Sequence, residues 1–308
     1  MIASNRRNFL KQSAIACAAF TLDSSSFQAV PANKKLCFST LGCPDWSFDK
    51  IIKFAVEHKY QAIEIRTIQR EIDIRKIKEF ATENIKSTKK ILADNNIKLV
   101  DLGSSAAMHH AEKEARIKNL DEAKRYIDLA HKLDCPYIRV FPNNLPKDNT
   151  RQQTLDLIVS GLNELGKYAQ GSNVTVLMES HGDLVSKNDL VYVMGKTDHK
   201  KVGLVWDIMN AWTVTGESPA EIYPAISKYI HHVHVKDGTV KDGKVNYTLL
   251  GKGEAPMRPA IQLLMKGGYK GYYSFEWEKL WHPEIAEPEL ALADYPKAMK
   301  KFFHLASL

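Results

Sequence analysis

The chain has 308 residues, 44% of them hydrophobic and 26% charged, and a formal net charge of +7. That composition excludes a disordered chain, and the length suffices for one large core or two smaller ones, since α/β barrels often run to about 250 residues as a single domain. The lysines are spread over helix-like faces and form no block that would track a phosphate backbone, so the basic balance reads as a solvated surface and nucleic acid is not an expected partner.

The first residues do not look like part of a fold. Ser4-Asn5-Arg6-Arg7-Asn8-Phe9-Leu10-Lys11 precedes a mildly apolar stretch over 13–22, with small residues near Ala29 and Ala32. A basic start, a short apolar run and small residues make a secretory leader. The arginine pair followed by Asn-Phe-Leu-Lys resembles a twin-arginine signal. Residues 1–32 are therefore expected to be a signal peptide, with 33–308 the exported domain and the periplasm its destination; an uncleaved amphipathic helix is the alternative. The apolar run is shorter than the roughly 20 residues a bilayer span takes, so membrane contact is expected only through export. Loss of Arg6, Arg7, Lys11 and Asp23 lowers the net charge to about +5. Without Cys17 the cysteines are Cys37, Cys43 and Cys135, too few and too scattered for a disulfide framework; Cys37 and Cys135 read as small buried hydrophobes.

From residue 35 onward, short strand-like runs alternate with longer amphipathic ones. Strands are expected at 36–40, 62–66, 97–102, 137–141, 174–178, 203–206, 232–236 and 272–276. Helices are expected near 48–58, 74–95, 112–133, 151–170, 187–195, 218–229, 256–267 and 289–303. Their apolar residues recur at three and four, as in Ile117, Leu120, Ala123, Ile127 and Ala130. Pro219 and Pro256 sit near helix starts, where a missing N–H costs little. Strict βα alternation eight times over predicts an α/β fold of the (β/α)8 TIM barrel type, a single domain. A doubly wound open sheet would show a glycine-rich turn after its first strand, and Leu41-Gly42-Cys43-Pro44 is not one.

In such a barrel the chemistry belongs to the C-terminal ends of the strands. Those positions carry Glu64 and Arg66, Asp101 with His109 and His110, Arg139, Glu179 and His181, Asp207 and Asn210, His234, Lys236 and Asp237, and Glu276 and Glu278. Glu179, Asp207, His234 and Glu276 come from the last four strands. Three hard carboxylates and one imidazole suit one divalent ion (Mn2+, Mg2+, Co2+ or Zn2+) with positions left for substrate oxygens. Arg139, Lys236 and Glu64 are expected across the mouth from it, with His181, Asn210 and Glu278 as further substrate contacts. His181 has the alternative of capping the helix that follows. Trp277 and Trp281 fit either rim packing or a sugar platform.

At these residues the chain resembles the sugar phosphate isomerase/epimerase superfamily, the xylose isomerase-like barrels. The matching segments are VLMESHGD (176–183), GLVWDIMN (203–210), HHVHVKDG (231–238), GKGEAP (251–256) and GGYKGYYSFEWE (267–278). The resemblance covers essentially all of 35–308. It implies that Glu179, Asp207, His234 and Glu276 are metal ligands, and that Glu179 and Glu276 move the proton of a ketose epimerase. The expected activity is a metal-dependent isomerase or epimerase acting on a non-phosphorylated sugar or keto-sugar through an enediolate, since sugar phosphates are scarce outside the cytoplasm. A lyase or dehydratase on a keto-sugar or 3-keto-glycoside is the alternative. A non-catalytic sugar-binding protein needs fewer metal-type residues than these. An endonuclease IV-like nuclease needs a histidine where Asn210 stands and an Asp-x-His pair beyond His234, which this chain lacks. Homo-oligomerisation stays open.

Overall fold

The expected strands pair in parallel and close on themselves. In this computed structural model, which describes residues 35–148, 150–198 and 200–306, the strands are β1 (Leu36–Ser39), β2 (Ala62–Ile65), β3 (Lys98–Ala107), β4 (Tyr137–Phe141), β5 (Thr175–Glu179), β6 (Val202–Asp207), β7 (Ile230–Val235) and, after a hairpin of β8 (Asp237–Lys241) and β9 (Lys244–Thr248), β10 (Tyr273–Phe275). The barrel order is β1-β10-β7-β6-β5-β4-β3-β2, a closed ring of eight parallel strands. The leader expected over residues 1–32 lies outside the described residues.

Nine helices lie among the described residues: α1 (Phe48–Glu57), α2 (Ile85–Asp94), α3 (Lys113–Lys132), α4 (Arg151–Tyr168), α5 (Lys187–Lys196), α6 (Ile208–Thr215), α7 (Pro219–Ile226), α8 (Met257–Lys266) and α9 (Pro288–Ala306). Several start where the sequence places an acceptor. Ser47 Oγ accepts from the Lys50 N–H and Ser186 Oγ from the Asp189 N–H, and Ser218 with Glu221 forms a capping box.

Three stretches differ from expectation. The helix expected near 74–95 is α-helical only from Ile85; before it come 3-10 turns at Ile74–Lys76 and Lys78–Phe80. Ile74, Ile77 and Phe80 recur every three residues and all are buried, a spacing that a three-residue turn satisfies and a 3.6-residue turn does not. The hairpin β8–β9 was not expected. Asp242 and Gly243 both take positive φ, as a two-residue I′ turn requires, between the paired Lys241 and Lys244. Helix α6 follows β6 directly, capped by Asp207 and ended by Gly216 at φ 73°.

Register decides which side chains face the barrel axis. Cys37 pairs with Ala62, and Ser39 with Glu64, which pairs with Asp101. On the far side Asp207 pairs with His234, and His234 with Ser274. Because strand side chains alternate, one face carries Phe38, Ile63, Ile138, Val140, Val176, Leu204, Val233 and Phe275 outward into the main core under the helices. Inside, Cys37, Ala62 and Val100 form a small apolar floor with Tyr272 packed on it. Above that floor, beside Leu177 and Val205, the interior carries a buried polar set: Glu64, Asp101, Arg139, Glu179, Asp207, His232, His234 and Ser274.

Gly203 stands on β6 in this interior. A Cβ there would meet Leu177 Cδ2 at 2.9 Å and the His231 ring closer still. Gly203→Ala is expected to destabilise by about 1–3 kcal/mol through overpacking, read from a denaturant titration. A change below about 0.5 kcal/mol, the range of ordinary surface substitutions, would show that the neighbours relax freely.

Candidate metal centre

Four neighbouring strands set the geometry. Glu179 ends β5, Asp207 ends β6, His234 lies in β7 and Glu276 follows β10. One ligating atom from each lies within 4.8 Å of every other, and all four residues are buried. His234 Nδ1 is 3.3 Å from Glu179 Oε1, 3.3 Å from Glu276 Oε2 and 3.8 Å from Asp207 Oδ2. Asp207 is also placed from behind. Ser180 Oγ donates to the Asp207 carbonyl and accepts the Asp207 N–H, while Asp207 Oδ1 caps α6 by accepting the Asn210 N–H, leaving Oδ2 for the cluster.

The imidazole is oriented from the opposite side. Glu64 Oε2 lies 3.1 Å from His234 Nε2, 3.0 Å from His232 Nε2 and 3.1 Å from Ser274 Oγ. A carboxylate only accepts, so the nitrogen facing it carries the proton, and His234 Nδ1 is turned toward the carboxylate cluster. Burial alone would raise the Glu64 carboxyl, but His234 and then His232 hold it well below the usual range. Burial would likewise lower His234, yet Glu276, Glu64 and Glu179 hold it well above the ordinary imidazole value.

Glu64, Arg139 and Lys236 are not across the mouth from this cluster; all three touch it. Lys236 Nζ lies 2.8 Å from Asp207 Oδ2, 2.6 Å from Glu276 Oε2 and 2.7 Å from Glu278 Oε1. Lys236 follows His234 by two residues on the same face, and burial keeps its chain inside. Arg139 Nε is 3.0 Å from Glu179 Oε2, while its Nη1 donates to the Ser104 carbonyl and its guanidinium lies 3.7 Å from the Phe141 ring centre. Burial raises Asp207 to about 7 despite Lys236, with Glu276 and Glu179 adding to the rise. Glu276 goes the other way: burial opposes ionisation, but His234 and Lys236 hold it well below the carboxylate range.

A cation fits this set by its chemistry. Three hard oxygen donors and one imidazole converge in a buried space, and like charges so close require compensation. Glu179 Oε2 and Asp207 Oδ2 remain without a hydrogen-bond donor, because their contacts with Arg139 and Lys236 lack hydrogen-bonding geometry. Glu64, His232 and His234 form a second convergent group, but there one oxygen already serves three donors.

The remaining expected contacts are spread along the rim. His181 Nδ1 is 2.8 Å from Asn143 Oδ1, with its ring against Phe141; it does not cap α5, which Ser186 does. Asn210 is half-buried, its Nδ2 3.5 Å from the Ser180 carbonyl. Trp277 is packing: it is 1% exposed, and its Nε1 donates to the Ala286 carbonyl. Trp281 is 53% exposed. Asp237, marked in the sequence as a strand-end ionisable group, is a structural clamp that accepts N–H groups from Gly238, Gly251, Gly253 and Ala255 and so folds the GKGEAP segment. Residues not singled out beforehand include His232 and Ser274, both on Glu64, and Tyr247 of the hairpin, whose hydroxyl feels Lys236 and Glu278. The signal for His232 was present, since residues two apart on a strand share a face with His234.

The family model described as xylose isomerase-like TIM barrel matches residues 52–301. No curated protein sequence gives a significant match. Among solved structures, a probable 3-DHS dehydratase, AsbF, involved in petrobactin synthesis from Bacillus anthracis, is 17% identical at a TM-score of 0.72, over 86% of this chain and 98% of that one. The IOLI protein with a bound zinc atom is 17% identical at 0.74, over 88% and 99%. D-psicose 3-epimerase with D-tagatose, from Clostridium cellulolyticum H10, is 16% identical at 0.69, over 88% and 99%. At these identities the likeness establishes the fold.

Asp237→Ala removes an acceptor of four N–H groups, one of them buried and three part-buried. It is expected to cost about 2–4 kcal/mol of stability, and amide exchange should show the 249–256 segment opening. Unchanged stability and protection would make the clamp irrelevant.

Proposed function

The chain belongs to the xylose isomerase-like TIM barrel family, and we propose that it is a metal-dependent isomerase or epimerase acting on a non-phosphorylated sugar or keto-sugar through an enediolate. The observation that carries this reading is the placement of two carboxylates, Glu179 and Glu276, on the outer strands of the four-strand arc, each 3.3 Å from the one imidazole nitrogen between them. Glu179, Asp207, His234 Nδ1 and Glu276 would hold one divalent ion. That ion would supply the positive charge that stabilises the oxygens of an enediolate as a carbon-bound proton leaves.

The rest falls to the chain's own residues. Glu179 and Glu276 remove and return the proton, one from each face of the substrate carbon. Both are held ionised: Arg139 opposes the burial of Glu179 and the repulsion from Glu276, and His234 and Lys236 do the same for Glu276. Glu64 fixes the His234 ring. His181, Asn210, Glu278 and Lys236 line the approach for substrate hydroxyls. A leader at residues 1–32 would put the reaction in the periplasm, and that expectation favours a free sugar over its phosphate.

One observation favours a second reading. Glu276 has a titratable ammonium beside it, that of Lys236, which burial would lower but Asp207, Glu276 and Glu278 hold well above the ordinary lysine value, whereas Glu179 has the Arg139 guanidinium. That asymmetry would serve a lyase, which needs one base and one acid.

Two experiments test the reading. Purified protein is expected to hold one divalent ion per chain, and Asp207→Ala or His234→Ala to lower that occupancy severely. Binding should also release protons near pH 6, because Asp207, raised to about 7, and His234, raised above its usual value, must both lose a proton to ligate. Affinity should therefore climb as pH rises toward 7. Calorimetry in buffers of differing ionisation enthalpy reads both. Full occupancy in both variants would remove the site.

Glu179→Gln and Glu276→Gln should each slow solvent deuterium exchange at the substrate carbon by about 10²–10⁴-fold while the fold survives. Loss in only one favours the lyase, and loss in neither takes both residues out of the chemistry.

A further inference from the structure

Arg66 is used by nothing described so far. It follows β2 at the barrel mouth and is 6% exposed, yet no carboxylate lies within ion-pair distance of it among the described residues. Its Nη2 donates to Ser105 Oγ at 3.0 Å, while its Nη1 is buried without any hydrogen-bond partner. The charge packed against it is of the same sign, and Glu276 and Glu122 act on it without forming an ion pair. Arg66 and Arg139 flank Gly103 so closely that a Cβ there would lie 3.0 Å from Arg66 Cδ and 3.0 Å from Arg139 Nη2. Burial, and then Arg139, lower the Arg66 guanidinium to about 10, so it stays charged at neutral pH.

Two buried guanidiniums side by side, one of them without a counter-ion, are unfavourable unless an anion completes them. Arg139 is engaged by Glu179 of the metal cluster, and Arg66 beside it feels the charge of Glu276 of the same cluster, so the two guanidiniums lie next to the space where substrate would meet that cluster. We propose that Arg66, with Arg139 behind it, receives an anionic oxygen group of the substrate, a carboxylate or a phosphate, and that the natural substrate is therefore a sugar acid or sugar phosphate rather than a neutral sugar. This rests on the reading of the mouth as a sugar isomerase or lyase site and adds a charge to its substrate. A carboxylate agrees with the free-sugar reading above; a phosphate would revise it. Guanidinium, planar and forked, suits either group better than a lysine would.

The test uses metal-loaded full-length protein and four kinds of probe: hexuronates, hexose 6-phosphates, the matching neutral hexoses, and inorganic phosphate. Calorimetry should show at least one anionic class binding about 10-fold or more tighter than its neutral counterpart. Arg66→Gln should abolish that gap and leave neutral binding within about twofold. Arg66→Lys should recover only part of it, and Ser105→Ala, at an exposed position, should weaken it without risk to the fold. Uronates and phosphates differ in which source they represent, and tighter binding of either supports the site. Equal binding of charged and neutral probes, equal loss of both in Arg66→Gln, or no binding of any anion would overturn it. Deuterium exchange on the same probes separates the two claims. Exchange with neutral ketoses and no anion preference removes the anion site alone, whereas an Arg66-dependent preference without exchange removes the isomerase reading alone.

Discussion

Three carboxylates within 4.8 Å of one another, sealed inside a barrel, form a charge that the protein has to neutralise. Much of the interior follows from that constraint. Lys236 is drawn in among Asp207, Glu276 and Glu278, and Arg139 is set against Glu179. Glu64 is placed behind His234, so that the imidazole faces the carboxylates with a fixed nitrogen. Buried ion pairs of this kind are weak contributors to stability, because desolvation consumes most of their attraction. Stability must therefore come from elsewhere. It comes from the apolar layer between strands and helices, where the outward-facing halves of the same strands are buried. Alternation along each strand divides the labour: one face folds the protein and the other holds the charges.

Much of this division was legible in the sequence. β-branched runs separated by amphipathic stretches gave the eight strands. The ionisable groups sit at the same phase of successive strands, so position alone marks Glu179, Asp207, His234 and Glu276 as candidates for one site. What escaped was of two kinds. Local turn chemistry was present but unread: Asp242-Gly243 marks the hairpin, and the three-residue spacing of Ile74, Ile77 and Phe80 marks the 3-10 turns. Tertiary roles left no local trace. Nothing adjacent to Asp237 says that its carboxylate will gather four N–H groups from residues up to 18 positions away. Likewise, Glu64 looks like any strand-end acid until β7 brings two imidazoles to it.

The two proton-moving candidates are not equivalent in their surroundings. Glu179 is backed by a guanidinium, Glu276 by an ammonium that its three carboxylate neighbours hold well above the ordinary lysine value. Under the proposed reading an epimerase would tolerate that difference and a lyase would exploit it. Arg66, packed beside Arg139, is proposed as a second selective element, its Nη1 buried without a hydrogen-bond partner.

The central claim is that a divalent ion belongs among Glu179, Asp207, His234 and Glu276. A crystal of Mn2+-loaded protein examined by anomalous scattering tests it most directly. The account predicts a single strong peak enclosed by those four residues, on the Nδ1 side of His234, with Glu64 still on Nε2. A peak on the Nε2 side, between Glu64 and His232, or no peak in the barrel mouth at all, would contradict it.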